Sequence, residues 1–125
     1  MHEGKHVILY VDDDPDYRFA MRQLLEANGL DMVEAADGEE GLRVYREHRP
    51  DLILLDLMME EIDAGVNLLR RLRADGNTVP VYLVSSVGDT LSTTTDAAEL
   101  GFAGVFQKPI DGKALLAAIR SRLKH

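Results

Sequence analysis

Four groups of residues in this chain have the types and spacing for chemistry: Asp12-Asp13-Asp14, Asp56, Ser85-Ser86 and Lys108-Pro109, each following a compact apolar run. Successive carboxylates repel one another unless a cation neutralises them or their surroundings shift their titration. A divalent ion is the natural remedy. Asp14 precedes Pro15, the pattern of a helix cap and a first helical residue, so it is expected to cap and to leave Asp12 and Asp13 as the metal pair. With Asp56 they form an all-oxygen set suited to Mg²⁺, a hard ion that keeps several waters. Beside such an ion an aspartate can attack phosphorus and form an acyl phosphate. The Ser85 hydroxyl and the Lys108 ammonium would then meet phosphoryl oxygens, one as a neutral donor and the other as a point charge.

These groups can act together only if the chain brings them to one place. Apolar runs at 7–11, 32–36, 52–55, 79–84 and 103–106 read as strands. Between them Tyr17, Ala20, Met21, Leu24 and Leu25 recur at helical spacing, as do Leu68, Leu69 and Leu72, and later Leu115, Leu116, Ile119 and Leu123. Asn28-Gly29 marks the end of the first helix. Asp37 opens the second, with Glu40 in the capping-box position and Pro50 as its stop, and Asp111 caps the last. The segment 91–100 starts with poor helix formers before Ala97 to Leu100 improve it, and predicts a helix that is either short or mobile. Alternation of strand and helix through five units implies an α/β fold, a doubly wound parallel sheet with right-handed connections. In a flavodoxin-like (βα)5 arrangement of strand order 2-1-3-4-5, the edges are the strand with Glu34 and the Gly-bearing fifth. Ligands of such sheets bind beyond the carboxyl ends of the strands, so all four groups are expected on one rim.

A length of 125 residues with 46% hydrophobic content supports one core, and residues 1–125 are read as one domain with its core at about 6–124. Cysteine is absent from the sequence, which excludes disulfides and thiolate metal sites. A net charge of −8 opposes direct contact with nucleic acid phosphates. There is no apolar run of membrane-spanning length and no signal-type start, so the cytoplasm is the expected location. His2, His6, His48 and His125 lack metal-ligand spacing.

The motifs Val-Asp-Asp-Asp-Pro, Leu-Leu-Asp-Leu-Met-Met, Val-Ser-Ser and Gln-Lys-Pro, spread from Val7 to Leu123, resemble the receiver domains of two-component response regulators. The resemblance implies a phosphoryl group taken by Asp56 from a phosphohistidine on a sensor histidine kinase or a histidine phosphotransfer protein. It implies Mg²⁺ on Asp12, Asp13, Asp56 and the backbone carbonyl of Met58, phosphoryl contacts from Ser85 and Lys108, and a cis peptide before Pro109. A downstream effector protein and a dimer formed on phosphorylation are further partners it implies, and the domain would not be a turnover enzyme. The sequence departs from the family pattern in the loop 60–65, which lacks the usual Pro and is one residue longer. The switch aromatic, three residues before the Lys, is matched by Val105, and Phe106 should face the other way. Output is therefore expected through the loop after Ser85 and the segment 91–100, without ring rotation, and an output domain is not expected in this chain.

Two rival readings share the chemistry or the fold. An aspartyl phosphatase of the haloacid dehalogenase type carries a second Asp two residues after its nucleophile, where this chain has Met58. A phosphorylation-independent interaction module on the same fold leaves the complete acidic, hydroxyl and lysine set without a purpose. A flavin mononucleotide binder is excluded, because Asp12 to Asp14 would repel the phosphate.

Overall fold

Capping residues start the helices where the sequence places them. The Asp14 carboxylate accepts from the Asp16 N–H at 2.9 Å ahead of α1 (Pro15–Glu26), and Asp37 accepts from the Glu40 N–H at 2.8 Å ahead of α2 (Gly38–His48). Glu40 reaches back to the Ala36 N–H at 2.7 Å, one residue before the cap, so side chains close the entry to that helix from both sides. α3 spans Ile62–Ala74, and α4 spans Gly112–Leu123 with Asp111 accepting from the Lys113 N–H. This computed structural model describes residues 6–56, 62–76, 79–86, 101–108 and 110–123. The expected helix at 91–100 and the loop at 57–61 lie outside the described residues.

Five parallel strands, β1 (Val7–Val11), β2 (Asp31–Ala35), β3 (Leu52–Asp56), β4 (Val81–Ser86) and β5 (Gly104–Lys108), form one sheet in the order β2-β1-β3-β4-β5. The register pairs Val11 with Leu55 and Asp56 with Val84, so residues 12 and 56 leave adjacent strands at one level. β4 and β5 run two residues beyond the expected 84 and 106, because their ladder continues through Ser85 opposite Gln107 and Ser86 opposite Lys108. Hydrogen bonding, blind to polarity, carries these strands past the end of their apolar runs.

Period-two alternation splits the core into two layers. Leu9, Val11, Ile53, Leu55 and Leu83 pack with Leu42 and Tyr45 of α2 and with Leu68, Leu69 and Leu72 of α3. On the other face Ile8, Tyr10, Leu52, Leu54, Tyr82 and Val84 pack with Met21 and Leu25 of α1 and with Leu115, Leu116 and Ile119 of α4. Val105 packs against the first layer and Phe106 against the second, where its ring lies 5.2 Å from that of Tyr82. At the edge, Glu34 of β2 is held by Arg18 and Arg22 of α1 at 3.1 and 2.9 Å. Gly104 has a steric reason to be glycine, since an added Cβ would stand 2.9 Å from Tyr82 Cε2. Gly104→Ala should therefore cost about 1–3 kcal/mol through overpacking. Urea unfolding would measure it, and an unchanged midpoint would show that the Tyr82 ring gives way freely.

Candidate functional site

Tyr10, Leu54 and Phe106 all belong to the layer under α1 and α4. Two residues beyond each stand Asp12, Asp56 and Lys108, so strand alternation turns all three toward the same face at the carboxyl end of the sheet. Asp12 extends β1 by one bond, its N–H donating to the Ala35 carbonyl at 3.0 Å. Asp12 and Asp56 are both 0% exposed. β4 separates Lys108 from β3, and its long stem crosses the end of that strand. The ammonium donates to Asp56 Oδ2 at 2.5 Å and to Asp12 Oδ2 at 3.1 Å, with the Lys108 side chain 12% exposed.

Further donors surround Asp12. The Tyr10 hydroxyl donates to Asp12 Oδ2 at 2.5 Å, and the Asp14 N–H donates to Oδ1 at 2.9 Å. Arg18 holds the Asp12 carbonyl through Nη1 at 2.6 Å, and the Tyr17 ring faces the Lys108 ammonium, 4.0 Å from Nζ to its centroid. Burial raises the Asp12 carboxyl, but Tyr10, Asp14 and Lys108 outweigh it and hold the group below the ordinary carboxylate range. Burial likewise opposes the Lys108 charge and is outweighed by Asp56 and then Asp12, so the ammonium titrates above the ordinary lysine range. The Tyr10 hydroxyl is pushed far above the tyrosine range by burial and then by Asp12.

The expected site residues are thus distributed unevenly. Asp12, Asp56 and Lys108 come together; Asp13 is exposed, and among the described residues no three histidine or acidic side chains group as a metal-holding set. Ser85 lies in β4 one residue from its end, while Met58 and Pro109 lie outside the described residues. Two buried carboxylates share one ammonium, and their oxygen donors suit a hard divalent ion. The residues present therefore fit Mg²⁺. The sequence pattern does not mark Tyr10, Tyr17 or Arg18 as site residues. Tyr10 was legible in principle, because a strand residue two places before Asp12 shares its face.

The family model of the response regulator receiver domain matches residues 8–120, and the chain belongs to that family, the receiver domains of two-component signalling. The transcriptional regulatory protein CseB of Streptomyces avermitilis is 40% identical over 124 residues, which cover 99% of this chain and 51% of that protein. The DNA-binding response regulator MtrA of Mycolicibacterium smegmatis is 38% identical, covering 94% and 50% respectively. The chain thus spans about half the length of the curated relatives it matches. Among solved structures, the receiver domain of Francisella response regulator 1452 superposes with a TM-score of 0.81 at 26% identity, covering 94% of this chain and 95% of that one. A response regulator receiver protein from Pseudomonas putida gives 0.78 at 29%, covering 94% and 98%. The haloacid dehalogenase reading falls with this membership. No helix among the described residues is long and apolar enough to cross a membrane.

The titration shifts set a pH window for the ion pair. A depressed Asp12 value gives stability above the ordinary carboxylate titration that is lost as pH falls through the folded-state value; a raised Lys108 value gives stability below the ordinary lysine titration that is lost as pH rises through its own. Neutral pH lies inside both limits. With Mg²⁺ chelated, Lys108→Met should lower stability by roughly 3 kcal/mol at neutral pH by stranding buried carboxylates. Near pH 3, where carboxylates take up protons, the loss should shrink. Equal losses in urea titrations at the two pH values would show that Lys108 is not their countercharge.

Proposed function

We propose that Asp56 takes a phosphoryl group from a phosphohistidine on a sensor histidine kinase or a histidine phosphotransfer protein, and that the resulting shift regulates a downstream effector protein. The observation that carries this reading is the Lys108 ammonium bonded to the buried carboxylates of Asp12 and Asp56. A cation already stands one hydrogen bond from the acceptor before any phosphoryl group arrives. In the transfer an Asp56 carboxylate oxygen forms the new P–O bond as the P–N bond to the partner's imidazole breaks, the electron pair staying on the ring nitrogen. Lys108 then exchanges a carboxylate oxygen for a phosphoryl oxygen, and the Ser85 hydroxyl donates to another.

Mg²⁺, held by Asp12, Asp13, Asp56 and the Met58 carbonyl, would supply positive charge against the electron density that gathers on the phosphoryl oxygens. Each molecule takes one phosphoryl group, assisting its own phosphorylation and dephosphorylation without turning over a separate substrate. With a net charge of −8 the domain itself repels DNA, so in a longer parent resembling CseB or MtrA the DNA contact would fall to the other half. Val105 has no ring to rotate, so output through the loop after Ser85 and the segment 91–100 remains the reading for the switch.

A small-molecule phosphodonor with Mg²⁺ should add one phosphoryl group to the chain, detected by intact mass. Asp56→Asn should abolish uptake and chelation should suppress it; comparable uptake by the variant would move the acceptor elsewhere.

A further inference from the structure

Tyr10 is fully buried in β1, yet its hydroxyl is aimed at the acidic site and donates to Asp12 Oδ2 at 2.5 Å. That oxygen also accepts from Lys108 at 3.1 Å, while Asp12 Oδ1 accepts from the Asp14 N–H at 2.9 Å. A carboxylate offers about four lone-pair sites on its two oxygens. Oδ2 is filled by Tyr10 and Lys108, and the remaining direction belongs to Oδ1. We infer that Tyr10 is a positioning residue for cation binding, its hydroxyl fixing the Asp12 carboxylate so that Oδ1 is presented to a divalent ion while Oδ2 is withheld. This rests on the proposal that Asp12 helps to hold Mg²⁺.

The hydroxyl also moderates a competition. Lys108 and an incoming cation both seek the charge on Asp12, and Tyr10 shares Oδ2 with the ammonium. Without the hydroxyl the carboxylate keeps only the ammonium at Oδ2. It turns further toward Lys108, and the cation must break a tighter ion pair to enter. Loss of hydrogen-bond partners behind a metal ligand commonly weakens metal affinity by about 10–100-fold, and one such partner is removed here.

The test is Mg²⁺ titration by calorimetry of wild type, Tyr10→Phe and Tyr82→Phe. Tyr82 serves as control because it lies in the same core layer and its hydroxyl is bonded to Arg122 Nε at 3.0 Å, away from the acidic rim. Tyr10→Phe keeps the ring and should bind Mg²⁺ about tenfold more weakly. Tyr82→Phe should stay within about twofold of wild type. In wild-type protein the ¹³Cζ resonance of Tyr10 should move through the Mg²⁺ titration with the same midpoint, with that of Tyr82 still, a measurement that needs no variant to fold. Unaltered affinity in Tyr10→Phe, an equal loss in Tyr82→Phe or a motionless Tyr10 resonance would overturn the role of Tyr10 alone. Wild-type protein that binds no Mg²⁺ would overturn the reading beneath it, and this inference with it.

Discussion

Asp12 and Asp56, two carboxylates closed off from solvent, stand close enough at the mouth of the sheet to share the ammonium of Lys108. Charges so buried are tolerable only when paired and hydrogen-bonded, and much of the nearby architecture answers that demand. The strand order places β1 beside β3, which brings the carboxylates together, and sets β5 beyond β4, which calls for a side chain as long as lysine. The Asp14 N–H at the start of α1 donates to the other oxygen of Asp12. The helix cap and the site are thus one turn of chain.

Around that centre the more exposed charges act as braces. The Arg18, Arg22 and Glu34 network is partly open to solvent, so its Coulomb energy is modest. Its value is geometric. Arg18 touches both Glu34 on the edge strand and the Asp12 carbonyl, and so ties the first turn of α1 to β2 and to the acidic turn between β1 and α1. Burial works against the Glu34 carboxyl and is overcome by Arg22 and Arg18, which hold it below the ordinary range.

Much of this was legible because caps and faces are local. Asp14, Asp37 and Asp111 announce helix starts through their side chains, and Leu68, Leu69 and Leu72 of α3 and Leu115 and Leu116 of α4 are buried as their periodicity implies, with Leu123 partly so. Alternation implied the doubly wound parallel sheet, and the polarity of the edge strands agreed with the flavodoxin-like order 2-1-3-4-5 that the chain adopts. Strand ends were less legible, because Ser85, Ser86, Gln107 and Lys108 are polar and lie in strands only through main-chain pairing with each other. Asp13 illustrates a further difficulty: spacing makes it an equal of Asp12, but alternation at the end of a strand buries one of two neighbours and exposes the other. In the sequence Tyr10 is one more member of an apolar strand run, since its hydroxyl acquires meaning only when Lys108, distant in sequence, comes to the same oxygen.

That distance has a bearing on biosynthesis. Lys108 and Asp12 are separated by 96 positions, and Lys108 and Asp56 by 52. A chain emerging from the ribosome completes β3 and its Asp56 well before β5 exists, so the carboxylate is first made without its ammonium. Contacts of such long range form only once the intervening chain has been ordered. Assembly of the site, and with it the proposed competence to receive a phosphoryl group, is thereby tied to completion of the sheet from β1 to β5, and an unfinished or clipped molecule carries Asp56 without Lys108 beside it.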